Sequence, residues 1–267
     1  MKKIVYSFLI FLIIFIITGC AHNKKKAPVQ GAGIYKSFDR GETWQHKVTL
    51  ASSSGPKSIR DANVKVIRTD PQDNNAIYIG TENRGLFYTY NGGDYWQQPT
   101  QISSGKVNDI AIDPENKCTI YVAYGNKLIK SVDCNRSWFD VYIDPRPKTV
   151  TSIVIDNLNT SQVYISTDFG EIIKSTDKGT TWTTINRFNK SVSHVVINPI
   201  DTDILYASVL DQAIFKSTNG GENWESVTEN LRKTKGIFTN LRMYIDETQK
   251  DGIYFVSKYG IVRSDNG

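Results

Sequence analysis

The body of the chain alternates short apolar segments with polar turns. An apolar strand such as VIRTDP leads into an acidic or Asn-Pro turn, and a second strand such as AIYIG follows. A third strand then closes each unit, as in GLFYT or EIIKS. Alternating β-branched and aromatic residues between such turns predict antiparallel strands and hairpins. Long helical periodicity is lacking in this body, so the pattern predicts an all-β protein. The second strands share one tyrosine each: Tyr78, Tyr121, Tyr164, Tyr206 and Tyr254.

One octapeptide recurs directly after the third strand of each unit. Its copies start at residues 37, 89, 131, 175 and 217, and the beginning of a sixth copy stands at 264–267. A repeat of 40 to 45 residues or slightly more is typical of the four-stranded blade of a β-propeller. The five copies read SFDRGETW, TYNGGDYW, SVDCNRSW, STDKGTTW and STNGGENW.

The octapeptide, S-x-D-x-G-x-x-W, resembles the Asp-box or BNR repeat. This repeat occurs in sialidases, sortilin-type receptors, xyloglucanase-type glycoside hydrolases and photosystem II stability/assembly factors. The resemblance covers about residues 31–267 and implies a β-propeller of four-stranded antiparallel blades. Because these families perform different tasks on one scaffold, the repeat implies the fold and not the function.

The chemistry of the octapeptide is structural. A short acceptor at its third position can bind backbone N–H groups of the same turn, and the glycine allows a left-handed backbone. Asn135 replaces that glycine in the third copy, and Asn tolerates the conformation next best. The tryptophan is expected to pack across the hairpin. A calcium site at these turns is the alternative. The acceptors are Asp39, Asn91, Asp133, Asp177 and Asn219, and the tryptophans are Trp44, Trp96, Trp138, Trp182 and Trp224.

The phase of the repeat predicts an incomplete ring. The body enters at the third strand of a blade, at residues 33–36, and ends after another third strand, at about residue 264. We therefore expect about six or seven blades in a complete propeller, with this chain ending in the middle of a blade. The alternative is an irregular ring.

The N-terminus has the pattern of a secretion signal. Lys2 and Lys3 precede an apolar run at residues 4–17, which is shorter than the roughly 20 residues of a transmembrane helix. The run ends in ITGC, which resembles the lipobox of bacterial lipoproteins and implies lipidation of Cys20. We expect a signal peptide at residues 1–19, a lipidated tether at 20–30 and the propeller at 31–267. The protein would then be lipid-anchored in the bacterial cell envelope, outside the cytoplasm. A plain N-terminal membrane anchor is the alternative.

Two further cysteines flank a predicted hairpin. A turn at residues 125–126 places positions that sum to about 251 opposite each other, and Cys118 and Cys134 nearly satisfy this condition. Disulfides persist outside the cytoplasm, so we expect a Cys118–Cys134 disulfide. Two buried free thiols are the alternative, which titration of thiols after unfolding would reveal.

Charge narrows the class of partner. The formal net charge is +5, and the five lysines within residues 1–26 account for all of it, so a basic nucleic-acid-binding body is not expected. However, the predicted inter-blade loops 45–64, 97–107, 139–150, 183–192 and 225–240 carry more Lys and Arg than acids. The face opposite the octapeptides should therefore be basic and attract acidic partners; a solvated rim of scattered charges is the alternative. The candidate binding residues are Arg60, Arg84, Lys106, Arg187, Arg232 and Lys235.

The sequence favours binding over catalysis. It has no sialidase-like Arg-Ile-Pro motif near the N-terminus, its three histidines are scattered, and most acids fall in turns that the repeat explains. Neither a metal site nor a cofactor is therefore predicted. The lipobox and short blades most resemble bacterial relatives of the assembly factors. We therefore expect a non-enzymatic scaffold or assembly factor for an envelope or membrane protein with an acidic segment. The alternative is a carbohydrate-active or glycan-binding propeller, and a surface propeller without a strong ligand remains open.

Overall fold

The computed structural model describes residues 33–267 apart from positions 54, 56, 232, 235, 239–241, 247 and 250. The chain divides into two units, Met1–Gly31 and Ala32–Gly267, and the description concerns the second. The expected signal peptide, Cys20 and the tether lie outside the described residues. Within the part described, no helix is both long and apolar enough to cross a membrane.

The described residues form an all-β propeller, as the repeat predicts, and their sheets make five blades. Blades 2, 3 and 4 are four-stranded antiparallel meanders with consecutive strands paired. Blade 2 contains β8 (Val107–Ile112), β9 (Ile120–Tyr124), β10 (Lys127–Ser131) and β11 (Phe139–Ile143). Blade 3 contains β12 (Val150–Ile155), β13 (Val163–Thr167), β14 (Glu171–Ser175) and β15 (Thr183–Arg187). Blade 4 contains β16 (Val192–Ile197), β17 (Leu205–Val209), β18 (Ala213–Ser217) and β19 (Glu225–Ser226).

The two outer blades of the series are three-stranded. Blade 1 contains β5 (Val64–Asp70), β6 (Asp73–Thr81) and β7 (Leu86–Thr89), and Tyr88 exchanges backbone hydrogen bonds with Gln97 at the place of a fourth strand. Blade 5 contains β20 (Arg242–Ile245), β21 (Ile253–Ser257) and β22 (Gly260–Ser264). Residues 45–64, which the sequence assigned to an inter-blade loop, hold short strands. They belong to two small hairpins before blade 1, which pair β1 (Tyr35–Lys36) with β2 (Gln45–His46) and β3 (Thr49–Leu50) with β4 (Lys57–Ser58).

The first strands of the blades form the inner wall of the ring. β5, β8, β12, β16 and β20 contact each other in this order. Because the strands are antiparallel, the loops between blades and the turns between second and third strands lie at one end, which we call the mouth face. The octapeptide turns lie at the opposite end, which we call the octapeptide face.

The core lies between the blades. In blades 2, 3 and 4, the second residue of the third strand shares a hydrophobic cluster with the first strand of the next blade, as Leu128 does with Ile153 and Ile172 with Val195. Leu128 and Ile172 are fully buried. The equivalent Ile261 of blade 5 is 73% exposed. The hydrophobic cores of neighbouring blades are therefore built from both blades, which fixes their relative position.

The octapeptide turns are held by their own side chains. Asp177 accepts hydrogen bonds from the backbone N–H and the hydroxyl of Thr181, at 2.8 and 2.6 Å, and one from Ser175. These bonds lower the pKa of Asp177 to about 2. Gly179 has φ +89°, and Asn135 has φ +69° at the same place in blade 2. The left-handed position that the sequence indicates is thus present, and Asn135 adopts it in place of glycine.

The tryptophans pack beyond their own hairpins. The indole N–H of Trp182 donates to the carbonyl oxygen of Gly179 in its own turn, at 3.1 Å, and to that of Val141 in the preceding blade, at 2.8 Å. Trp96 likewise donates to Lys47 of the hairpins before blade 1. The prediction that each tryptophan packs across its own hairpin was therefore incomplete, because the indole also bonds to the preceding blade or hairpin. Trp44 is 61% exposed.

Cys118 and Cys134 are joined by a disulfide in the structure, with their Cα atoms 4.0 Å apart. The bond links the turn before β9 to the octapeptide turn of blade 2. The backbone N–H of Cys134 also donates to the carbonyl oxygen of Cys118 at 3.2 Å. Corresponding backbone bonds join Lys178 to Ser161 and Gly220 to Asp203. The disulfide thus adds a covalent link at a contact that other blades make by hydrogen bonding alone.

Candidate functional site

A β-bulge recurs near the start of the first strand in blades 1 to 4. In blade 1, Val64 pairs with Thr81 and Val66 pairs with Gly80, so Lys65 is the extra residue. The same irregularity leaves one extra residue in each of the next three blades. A bulge redirects a side chain from the regular alternation of the strand. The four extra residues are Lys65, Asn108, Thr151 and Ser193.

These four side chains line one cavity at the inner end of the mouth face. Ser191, Leu210 and Arg242 complete the lining, and the cavity has a volume of about 320 Å³. We call this cavity the channel mouth. Blades 1 to 5 all contribute to it, so its composition depends on the ring and not on any single blade.

The polar residues of blades 2 to 4 are anchored to neighbouring backbone. Asn108 donates from Nδ2 to the carbonyl oxygen of Val150 at 3.0 Å, and Thr151 donates from its hydroxyl to that of Val192 at 2.7 Å. Ser193 donates to the carbonyl oxygen of Ser208 at 3.2 Å. These side chains are therefore held in place before any ligand arrives, which lowers the entropic cost of binding.

The channel mouth is cationic on the side of blades 1 and 5. Lys65 lies there with Arg242, and Lys106 stands beside Lys65. Glu82 is the nearby acid, 2.8 Å from Lys106 and 3.8 Å from Lys65. Burial and the neighbouring Lys106 lower the pKa of Lys65, whereas the bond to Glu82 raises the pKa of Lys106. No carboxylate is among the described residues that line the cavity itself.

A buried polar layer lies one residue below the bulges. Asp109 accepts bonds from Arg68 at 2.7 Å and from the backbone N–H groups of Ile110 and Ile153 at 2.9 and 3.0 Å. His194 occupies the equivalent position in blade 4 and is almost fully buried. Burial lowers the pKa of His194 to about 4. Asp109 is thus a buried structural carboxylate with its acceptors occupied, and His194 is neutral at ordinary pH.

The opposite end of the inner wall is apolar. A second cavity of about 330 Å³ is lined by the middle and last residues of the first strands, including Ala111, Val154 and Val196. Arg68 also borders this cavity, and its donors are bound to Asp109 and to backbone carbonyl oxygens. The lining of the inner wall therefore changes from polar and cationic at the mouth face to largely aliphatic towards the octapeptide face.

A buried ion cluster supports the mouth face between blades 2 and 3. Lys148, with 2% of its side chain exposed, lies 2.6 Å from Glu171 and 3.8 Å from Asp144. Arg146 contacts both acids, and Arg187 lies 3.3 Å from Glu171. Although burial raises it, the hydrogen bond from Lys148 and that from Arg187 hold the pKa of Glu171 below its ordinary value. The two carboxylates are therefore charged partners of cations, unlike a catalytic acid with a raised pKa.

The structure brings only part of the predicted binding set together. Lys106 lies beside the channel mouth, whereas Arg187 belongs to the ion cluster. Arg84 is paired with Asp61 and also reaches the carbonyl oxygen of Ser58. Arg60 is exposed on the loop before blade 1, and the other two candidates, Arg232 and Lys235, lie outside the described residues.

Sequence reasoning missed Lys65 and Arg242 because it counted loops and not strands. Both belong to first strands, which the repeat pattern assigned to the core. A signal was nevertheless present, because a polar residue follows the first apolar residue in VKV, VND, VTS and VSH of the aligned repeats. That position is the bulge.

Among the described residues, no group of three or more His, Cys, Asp or Glu side chains could hold a metal ion. The facing pair of acids that a xyloglucanase-type reaction needs is not found in the described lining of the channel mouth.

A comparison with known families decides where this fold belongs. The profile of a family described as "Photosynthesis system II assembly factor YCF48" matches residues 17–199. The chain belongs to this family. A member from Thermosynechococcus vestitus, named photosystem II assembly protein Ycf48, is 22% identical over 151 residues. The match covers 56% of this chain and 40% of that protein.

Two other proteins are similar to this chain, one in sequence and one in structure. A xyloglucanase from a Paenibacillus species is 26% identical over 155 residues, covering 57% of this chain and 13% of the enzyme. The chain thus matches less than half the length of either curated relative. A solved structure described as YCF48 bound to D1 peptide superimposes with a TM-score of 0.58 at 17% identity, covering 76% of this chain and 66% of that one. This structural likeness reflects the shared propeller fold.

Proposed function

We propose that this protein is a non-enzymatic scaffold that binds an acidic segment of another protein through its mouth face. The observation that carries the proposal is the channel mouth, where Lys65 and Arg242, with Lys106 beside them, meet preordered neutral polar groups. Within the described ranges, no carboxylate lines this cavity. Membership of the assembly-factor family supports a protein-binding role. The peptide complex of a structural neighbour shows that a related propeller binds a peptide.

The proposal includes a place in the cell. The sequence ITGC at residues 17–20 supports a lipid anchor on Cys20 and a position outside the cytoplasm in the bacterial envelope. More than one acyl chain gives stable anchoring, whereas a single chain is marginal. The anchored propeller would meet membrane or envelope proteins there. Mass spectrometry of the mature N-terminus tests this part, because an unmodified Cys20 would contradict it.

The decisive experiment is cross-linking of the full chain in native membranes, followed by purification and mass spectrometry. A parallel variant carries Arg60→Glu, Lys106→Glu and Lys190→Glu on the mouth face, and it leaves Arg187 with its buried partner Glu171. The matched control carries Arg40→Glu, Lys117→Glu and Arg136→Glu, which lie exposed on the octapeptide face and change the net charge equally. We expect a defined partner with the wild type and the control, and its loss with the mouth-face variant.

Two results would argue against this function. A partner retained equally by both variants would exclude electrostatic binding at the mouth face. No partner in any sample would turn attention to the alternative, a carbohydrate-active or glycan-binding propeller, which the sequence similarity to a xyloglucanase favours. Glycan binding and hydrolysis of xyloglucan by the purified protein would then support that alternative directly.

A further inference from the structure

We infer that the channel mouth is a receptor for one carboxylate-bearing residue of the bound protein, held by Arg242 and Lys65. This inference rests on the proposed function and adds the chemical group that enters the cavity. The carboxylate can come from an Asp or Glu side chain or from a free C-terminus, and the two sources are separated by experiment below.

The first argument concerns the pairing of arginines. Five arginines of the described structure form ion pairs with carboxylates. Arg242 lines the channel mouth, yet its guanidinium has no hydrogen bond or ion pair within the described ranges. A guanidinium binds a carboxylate through two parallel hydrogen bonds, which is among its strongest interactions in proteins. An unpaired guanidinium in a cavity therefore points to a carboxylate ligand. The five paired arginines are Arg68, Arg84, Arg146, Arg187 and Arg263.

The second argument concerns Lys65. Its ammonium lies 3.8 Å from Glu82, beyond hydrogen-bond distance, while Glu82 binds Lys106 more closely at 2.8 Å. Lys65 and Arg242 are close enough to interact electrostatically. Two neighbouring cations repel each other, so an anion between them relieves repulsion as well as gaining attraction. The ammonium has donors available for that anion.

The third argument concerns the neutral side of the cavity. The hydroxyls of Thr151 and Ser193 donate to backbone carbonyl oxygens and then accept from the hydroxyls of Ser166 and Ser208. Because a hydroxyl oxygen has two lone pairs, each keeps one as an acceptor. A carboxylate alone gives these acceptors nothing, but an amino-acid residue also carries a peptide N–H. Cations on one side and acceptors on the other therefore fit a carboxylate attached to an amide better than a bare inorganic anion.

The size of the cavity limits the ligand to a short piece of chain. About 320 Å³ lies at the lower end of the range for small-ligand pockets, roughly 300–1,000 Å³. One or two residues can enter, whereas a helix cannot. The rest of an acidic segment would then lie on the surrounding rim.

The test uses three fluorescent peptides of uncharged residues with blocked N-termini. One has an internal Glu and an amidated C-terminus, one has a free C-terminal carboxylate and no acid, and one has Gln and an amidated C-terminus. Fluorescence anisotropy at fixed low salt gives each Kd. We expect one of the two acidic peptides to bind at least tenfold more tightly than the Gln peptide, which identifies the source of the carboxylate.

The variants locate the site. Arg242→Gln and Lys65→Gln should each weaken binding of that peptide about tenfold, and Arg242→Lys should weaken it less because charge remains while the two-pronged geometry is lost. Lys127→Gln is the matched control, since Lys127 pairs with Asp140 on the same face and does not line the cavity. Circular dichroism and thermal melting establish that each variant is folded.

Several outcomes would overturn the inference. Equal binding of all three peptides would exclude carboxylate recognition. Inorganic phosphate that displaces the peptide at lower concentration than acetate would assign the cavity to a different anion. If the cross-linked partner is retained by the Arg242→Gln/Lys65→Gln variant but lost in the mouth-face variant, the scaffold function stands and the cavity is not the receptor.

Discussion

The hydroxyl of Tyr121 in blade 2 donates a 2.9 Å hydrogen bond to the carbonyl oxygen of Lys178 in the octapeptide turn of blade 3. Tyr164 of blade 3 reaches Gly220 of blade 4 in the same way, at 3.4 Å. Tyr78 of blade 1 instead accepts from Asn135 of blade 2, at 3.3 Å. The tyrosine of the second strand therefore fastens each of these blades to the octapeptide turn of the next.

Replacing Tyr121 by Phe should destabilise the propeller measurably. The change removes one hydrogen bond and leaves the buried ring in place, so the free energy of unfolding should fall by about 1 kcal/mol. Tyr254→Phe is the control, because the Tyr254 hydroxyl makes a longer contact, 3.4 Å, within its own blade. Urea unfolding of both variants measures the difference, and an equal loss in the two would contradict a role between blades.

Acid should unfold the protein through its octapeptide turns. Asp39, Asp133 and Asp177 have their pKa values lowered to about 2 by hydrogen bonds from hydroxyl and backbone N–H groups. A lowered pKa means that the folded state binds fewer protons than the unfolded chain. The stabilisation is therefore complete above about pH 4 and is lost as the pH falls towards 2.

Asp177→Asn tests this origin of acid sensitivity. Asn91 and Asn219 occupy the same place in two other turns and accept the corresponding backbone bonds, so the fold tolerates the amide. We expect a less stable protein at pH 7 and a smaller loss of stability between pH 4 and 2. Circular dichroism during acid titration, with urea melts at each pH, gives both quantities. An unchanged pH dependence would assign the acid sensitivity to other carboxylates.

His194 should make stability depend on pH in a separate window. Its pKa is lowered to about 4 because burial disfavours the charged ring, while Asp109 acts in the opposite direction and Arg242 and Arg68 reinforce the lowering. The unfolded chain takes up the proton first, so stability falls from about pH 6.5 to pH 4. The loss across this window should reach about 3 kcal/mol. His194→Gln should flatten this slope in unfolding experiments, and parallel slopes would refute the assignment.

The buried ion cluster predicts a strong dependence on Lys148. Lys148→Met should cost about 3 kcal/mol, because Glu171 keeps Arg146 and Arg187 as partners but loses its closest cation. Lys148→Met combined with Glu171→Met should recover part of the loss, since no buried carboxylate is then left without that cation. A double-mutant cycle by urea unfolding measures the coupling. Additive losses would contradict a direct interaction.

The propeller fold was predictable because each turn is specified by residues that lie close together in the sequence. A repeat with Asp or Asn, then Gly, then Trp specifies one turn, and five turns in phase specify the blades. Asn135 departs from the repeat because it replaces the glycine. It nevertheless has the left-handed backbone that this position of the repeat requires. The pairing of Cys118 with Cys134 could be predicted from the register of the β9–β10 hairpin. The turn at residues 125–126 predicts that Lys127 pairs with Tyr124, as it does in the structure.

The binding chemistry of the channel mouth was harder to predict from the sequence. Loop charges indicated a basic face, but Arg84 and Arg187 are engaged by Asp61 and Glu171, which lie in other segments of the chain. Whether a cation is free depends on contacts across the fold, and counting charges does not reveal them. Lys65 and Arg242 lie in first strands, and only the bulge at Lys65 and the positions of blades 1 and 5 bring the two side chains to one cavity.

The repeated bulge separates the identity of a side chain from the packing of its strand, two properties that a regular strand couples. In a regular strand, altering one side chain disturbs the neighbour that shares its packing, whereas the extra residue at Lys65, Asn108, Thr151 or Ser193 stands outside the alternation. Four such positions surround one opening, so the polar groups displayed there come from a part of the repeat that carries none of the tyrosines, tryptophans or octapeptide turns. Changing Asn108 or Thr151 would alter the opening and the joint between two blades together, because each bonds to the next blade. Changing Lys65, whose ion pair lies within its own blade, would alter the opening with less effect on the ring.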